Sequence, residues 1–135
     1  MATTEITAKN FESLIEKDGI VLIDWWAPWC GPCRAFAPTY ERVAKKHPDV
    51  TFGKVNTEEE QALAGEYGIR SIPTLMIFRD RVLLFSQPGM LPEAVLEDLI
   101  TKVRGLDMDE VRRKVKEQAK DHAHGHAHDA EAAGA

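Results

Sequence analysis

Cysteine is scarce in this chain, basic residues are outnumbered by acidic ones, and long apolar runs are missing. Two cysteines in 135 residues are too few for a fold stapled by disulfides. Seventeen Lys and Arg against 22 Asp and Glu leave no cationic footprint of the kind a phosphate backbone demands, so nucleic acid is not an expected partner. Nowhere do about 18 uncharged apolar residues follow one another, as a membrane helix needs. Met1–Thr7 also lacks the basic-then-apolar order of an export signal. The expectation is a cytoplasmic protein with no membrane partner, in a reducing compartment where a thiol pair does chemistry.

What is present supports one globular core, with 44% hydrophobic and 29% charged residues. Phe11, Leu14 and Ile15 recur at helical spacing between the candidate caps Thr7 or Asn10 and a stop at Gly19. Ile20–Ala27 is apolar on both alternating sets, which predicts a strand covered on both faces. A helix is predicted from about Cys33 to His47, with Pro38 inside it. A strand at 50–55 and a helix at 58–67 closed by Gly68 follow. Two strands, 74–78 and 82–85, flank Arg79-Asp80-Arg81 at hairpin spacing, and a helix at 91–103 carries Val95, Leu96, Leu99 and Ile100. A parallel unit followed by a hairpin and a helix makes an α/β sandwich with a central mixed sheet.

Both cysteines fall in Trp29-Cys30-Gly31-Pro32-Cys33, directly after the predicted strand. A helix starting there would set Cys30 among unpaired backbone N–H groups at the positive end of the helix dipole, where a thiolate is favoured. Cys33 would lie one turn further along the same face, placed to close a small ring with Cys30 or to resolve a mixed disulfide. The alternatives to a redox pair are a structural disulfide and half of a zinc site, and a four-ligand zinc site lacks its second pair of ligands. Asp24 stands inside the buried run, where a carboxylate costs several kcal/mol unless paired, protonated or turned to solvent at the strand end.

Asp24-Trp25-Trp26-Ala27-Pro28-Trp29-Cys30-Gly31-Pro32-Cys33-Arg34, then Ala37-Pro38, Lys54-Val55-Asn56, Tyr67–Thr74 and Gly89 resemble the thioredoxin family in identity, order and spacing over roughly residues 5–104. The resemblance implies a thioredoxin-like three-layer sandwich and reduction of protein disulfides through a redox-active Cys30–Cys33 disulfide, with no other cofactor. Its partners would be disulfide-bearing proteins and a thioredoxin reductase. It implies that Cys30 is exposed and attacks while Cys33 is buried and resolves. Asp24 would be a buried acid taking the Cys33 proton through water, tuned by Lys54. Gly31 and Pro32 mark the reducing variant of the motif, where oxidases and isomerases commonly carry His. Pro73 would be cis, leaving the Ile72 backbone to pair with an extended substrate, and Trp29, Pro28, Ile72, Gly89 and Met90 would form an apolar rim. Trp25 and Trp26 read as core residues, one on each face of the sheet.

The chain departs from that family in two places. Arg81 stands where the family usually has Gly at the hairpin, and residues after Leu106 have no counterpart in its short members. The domain is expected at 1–105, an extra helix at 106–120 with the thin stripe Met108, Val111 and Val115, and a disordered tail at 121–135. Four tail histidines, 122, 124, 126 and 128, alternate along that tail and offer imidazoles to nickel, zinc or copper. The rival reading is therefore a thioredoxin-like holdase, assembly subunit or metal-binding protein that works through the extension.

Overall fold

The computed structural model describes residues 2–124. The chain falls into two units that divide after Arg104. The first contains β1 (Thr3–Glu5), α1 (Phe11–Ile15), β2 (Ile20–Trp26), α2 (Gly31–Lys46), β3 (Thr51–Asn56), α3 (Gln61–Glu66), β4 (Thr74–Arg79), β5 (Val82–Pro88) and α4 (Glu93–Arg104). The strands form one mixed sheet in the order β1-β3-β2-β4-β5. β1 and β2 run parallel to β3, while β4 is antiparallel to β2 and β5 to β4.

The doubly apolar pattern of β2 is explained by a helical layer on each side of it. Ile20 and Leu22 join Phe36, Tyr40 and Val43 of α2 and Leu96, Ile100 and Val103 of α4 in one core. Val21, Ile23 and Trp25 join Phe11 of α1 and Leu63 and Ala64 of α3 in the other. The fold is thus the three-layer α/β sandwich with a central mixed sheet. On the first face Tyr40 is wholly buried and its hydroxyl donates to the Gly53 carbonyl at 2.8 Å. Gly53 admits no side chain, because a Cβ there would collide with the buried Ile6 that follows β1.

Several boundaries differ from the sequence reading. β1 was not anticipated: it has three residues, none of them buried, and owes its existence to pairing with β3 rather than to a pattern of its own. The helix predicted from residue 58 begins at Gln61, because Asn56 captures the Glu58 N–H with its side chain at 3.0 Å and the Glu60 N–H with its carbonyl at 2.9 Å, forming a turn first.

At the β4–β5 hairpin the two central residues, Asp80 (φ 49°) and Arg81 (φ 73°), both occupy the left-handed region. A tight hairpin of the primed type demands that conformation at both positions, and the chain meets it without glycine. The Asp80 carboxylate accepts from the Gly19 N–H at 2.8 Å, the Gly19 carbonyl accepts from the Asp80 N–H at 3.0 Å, and Arg81 reaches Asp18 at 2.6 Å.

The second unit holds α5 (Met108–His124). Asp107 begins it as a side-chain cap, accepting from the N–H groups of Asp109 and Glu110 at 3.1 and 3.3 Å. Arg112 pairs with Asp109 and Lys114 with Glu110 along its surface, and Val115 of the expected stripe is 47% exposed. The helix runs on past Lys120, so Asp121–His124 are helical. The remainder of the expected disordered tail, with His126 and His128, lies outside the described residues.

Replacing Arg81 with glycine removes about 1 kcal/mol of left-handed strain against an exposed ion pair worth a few tenths of that. Arg81→Gly is therefore expected to raise the urea midpoint with an unchanged slope, as equilibrium unfolding followed by circular dichroism will show.

Candidate active site

β2 ends at Trp26 and α2 begins at Gly31, so the intervening loop delivers Cys30 to the first turn of a helix. Cys30 is the N-cap residue of α2, in extended conformation, with Pro32 inside the first turn, where a missing N–H costs nothing. The Cys33 N–H donates to Cys30 Sγ at 3.2 Å. Sulfur thus occupies the place usually held by a Ser or Asp oxygen, facing the orphan donors and the dipole of a 16-residue helix. The two sulfurs are joined as a disulfide, with the Cα atoms 5.2 Å apart.

Cys33 is 2% exposed and buried, as expected, but Cys30 is only 5% exposed. That corrects the expectation of an open nucleophile: Trp26 and Ile72 pack against Ala27 and the cysteine pair and leave only a sliver of the residue accessible. Exposed groups next to it along the chain include Pro28, Gly31, Pro32 and Trp29, the last of these 63% exposed.

The loop before β4 completes the site. Ile72-Pro73 is cis, and the Ile72 carbonyl oxygen lies 3.7 Å from Cys30 Sγ. Pro73 is buried while Ile72 is half-buried, and among the described residues the Ile72 N–H has no hydrogen-bond partner. The Gly89 N–H donates to the Pro73 carbonyl at 2.8 Å, which brings the turn after β5 beside the proline. Gly89 takes φ 102°, a conformation that suits glycine. Trp29, Ile72, Gly89 and the half-exposed Met90 are therefore gathered from three separate chain segments around one disulfide.

Asp24 is 1% exposed, and among the described residues neither carboxylate oxygen has a hydrogen-bond partner. Burial pushes its pKa up from 3.8 to about 7, opposed by the positive charge of Lys54. The register places Lys54 directly across from Asp24 on β3, with Leu75 on the other side. The Lys54 ammonium sits over the Trp26 ring, 4.6 Å from its centre. Trp25 is fully buried, as the sequence suggested, in a cluster with Phe11 and Tyr67. Trp26 is more than the core residue expected at that place, since its half-buried side chain packs against the cluster of Ala27, Cys30 and Cys33 and its ring carries the lysine. Trp26, Lys54, Asn56 and Pro38 line an open groove of about 720 Å³. Among the described residues no group of three or more His, Cys, Asp or Glu is placed to hold a metal ion, and no helix is long and apolar enough to cross a membrane.

Comparison with known proteins places this arrangement. The thioredoxin family model matches residues 2–102. A Streptomyces coelicolor protein assigned as thioredoxin 2 is 55% identical over 117 residues, covering 87% of both chains. Thioredoxin 1 of Synechococcus elongatus is 44% identical over 102 residues, covering 75% of this chain and 94% of its own. Among solved structures, a mutant thioredoxin of Halobacterium salinarum superposes with a TM-score of 0.71 at 31% identity, covering 78% of this chain and 93% of that one.

The isolation of Asp24 sets a pH dependence of stability. Its folded pKa of about 7 lies above the 3.8 of an exposed carboxyl, so between those values the folded state keeps a proton that the unfolded state has lost. Stability therefore falls as pH rises through that window, and above it the penalty reaches roughly 4 kcal/mol at about 1.36 kcal/mol per unit. Asp24→Asn is expected to be more stable than the parent near pH 8, and the advantage should shrink toward zero near pH 4. Urea unfolding at a series of pH values measures it.

Proposed function

The chain belongs to the thioredoxin family and is a dithiol protein-disulfide oxidoreductase, and from that premise we propose that it works in the reducing direction in the cytoplasm, recycled by a thioredoxin reductase. The observation that carries the reading is the sulfur-capped helix: Cys30 Sγ already accepts a backbone N–H at the start of α2, an environment that favours the thiolate over the thiol. Gly31 and Pro32 place no His between the cysteines, which supports donation of electrons.

In this mechanism the Cys30 thiolate attacks a substrate disulfide, forming a mixed disulfide and releasing one substrate thiolate. Cys33 gives its proton to Asp24 through water, and the resulting thiolate attacks Cys30 Sγ. The second substrate thiolate leaves, both are protonated from solvent, and the chain is left with the Cys30–Cys33 disulfide. Two electrons pass from the dithiol to the substrate, so the cysteine pair is the whole redox cofactor. A buried carboxyl titrating near neutrality is matched to that proton transfer, and Lys54 tunes it. The substrate chain lies extended against the Ile72 backbone, adding hydrogen bonds in the manner of a strand, while Trp29, Pro73 and Gly89 shape its path and Gly31 and Pro32 permit close approach. The rival reading through the extension is not favoured, because binding a client or a metal has no need of an activated thiolate.

The test is insulin reduction coupled to a thioredoxin reductase and NADPH. Cys30→Ser should abolish turnover, and Cys33→Ser should trap substrates as mixed disulfides visible on non-reducing gels. Removal of residues 105–135 should leave turnover within about twofold, since the site lies wholly in the first unit. The reduction potential should fall well below the roughly −180 mV of protein disulfide isomerase; a value at or above it would reverse the proposed direction.

A further inference from the structure

The groove lined by Lys54, the register partner of Asp24, gathers charges of both signs: Lys54 from β3, Arg34 and Glu41 from α2, Glu5 from β1 and Glu59 from the turn after β3. Three carboxylates and one guanidinium thus share the groove with the Lys54 ammonium group. Among the described residues Lys54 nonetheless makes no ion pair with any of them. Glu41 instead accepts the Ala2 N–H at 2.8 Å, Glu59 accepts from Asn56 at 3.2 Å, and the lysine ends over the indole of Trp26. The backbone that bears the ring is held in place, because the Trp26 carbonyl accepts both the Thr57 N–H at 2.8 Å and the Thr57 hydroxyl at 3.0 Å.

We propose that Trp26 is a positioning residue for the proton-transfer step, its ring face holding the Lys54 ammonium near Asp24 and away from the acidic side chains of the groove. This rests on the proton-acceptor role given to Asp24 above. Lysine is a point charge on a flexible stem, and the field it exerts on a buried carboxyl depends on where that charge is kept. A cation over an indole face gains about 0.5–2 kcal/mol, increasing with desolvation, enough to choose among nearby resting places. From α2 the titratable group coupled to Asp24 is Tyr40, while Cys33 of the same helix is held in the disulfide. The β4 residue opposite Asp24, Leu75, is uncharged. Lys54 is therefore the cation that favours the ionised form of Asp24. Letting it swing toward Glu5, Glu41 or Glu59 would make Asp24 harder to ionise and move the pH at which it accepts a proton upward.

The experiment follows the Asp24 side-chain carboxyl by carbon-13 NMR across pH in the full-length oxidised protein, where the cysteines do not titrate. Trp26→Leu should raise the Asp24 midpoint by roughly half a pH unit, and not beyond the rise caused by Lys54→Met. Trp26→Phe, which keeps an aromatic face, should restore most of the parent value. In a Lys54→Met background Trp26→Leu should have no further effect. The ε-methylene protons of Lys54 should also show an upfield ring-current shift in the unsubstituted protein, a reading that survives even if Trp26→Leu does not fold. An unshifted lysine, an unmoved Asp24 midpoint in Trp26→Leu, or the same shift with and without Lys54 would overturn the inference and leave the dithiol mechanism standing. A turnover profile in the same variants that ignores the Asp24 titration would instead overturn the catalytic use of Asp24, and with it the step that Trp26 serves.

Discussion

A sulfur atom capping a helix is the constraint on which this protein's chemistry depends. Helix starts leave backbone N–H groups without partners, and α2 satisfies one of its own, that of Cys33, with Cys30 Sγ. The contact is short only because Cys30 has the extended conformation of a cap and Cys33 follows at the third helical position. One geometry therefore does two things: it brings the sulfurs within bonding reach, and it makes them unequal. The first sulfur faces a positive helix end, and the second is enclosed by the helix and the sheet.

The rest of the sandwich holds that contact in place and buries an acid close to it. β2 carries the loop to the helix and, two residues before its end, also carries Asp24. A buried carboxyl with no hydrogen-bond partner among the described residues is costly, and the raised pKa of Asp24 expresses that cost. The energetic opposition is local: burial pushes the acid toward its neutral form and one lysine across the sheet pushes back. The loop before β4 supplies the other wall, where Ile72 meets Cys30 and the turn after β5 is tied to Pro73 by the Gly89 N–H.

Much of this was legible in the order of residues. The doubly apolar β2, the amphipathic α2 and α4, and the β4–β5 hairpin all followed from hydrophobic period, since each element contributes its own stripe to a core. β1 escaped because an edge strand of three residues with no buried side chain has no period to read. The late start of α3 escaped because a side chain, that of Asn56, competes successfully with helix formation at the preceding turn. The turn type at the hairpin, left open by arginine where the family usually has Gly, is set by two left-handed residues that partners distant in sequence, Gly19 and Asp18, hold in place. At the site, the cysteine pair, Asp24 and Lys54 were nameable in advance, whereas the enclosure of Cys30 and the lysine's rest on Trp26 were not.

By itself the sequence determined which atoms are available: two thiols one helical turn apart, an acid in an apolar strand, and a proline after Ile72. These are local facts, because spacing along a helix or strand fixes which side chains share a face. Only the tertiary structure decided how exposed Cys30 is, which cation the buried acid feels and where that cation rests. Those quantities depend on neighbours from β3, β4 and the loop before it, segments far apart in the chain, and electrostatic energy is set by distance and burial rather than by order along the backbone.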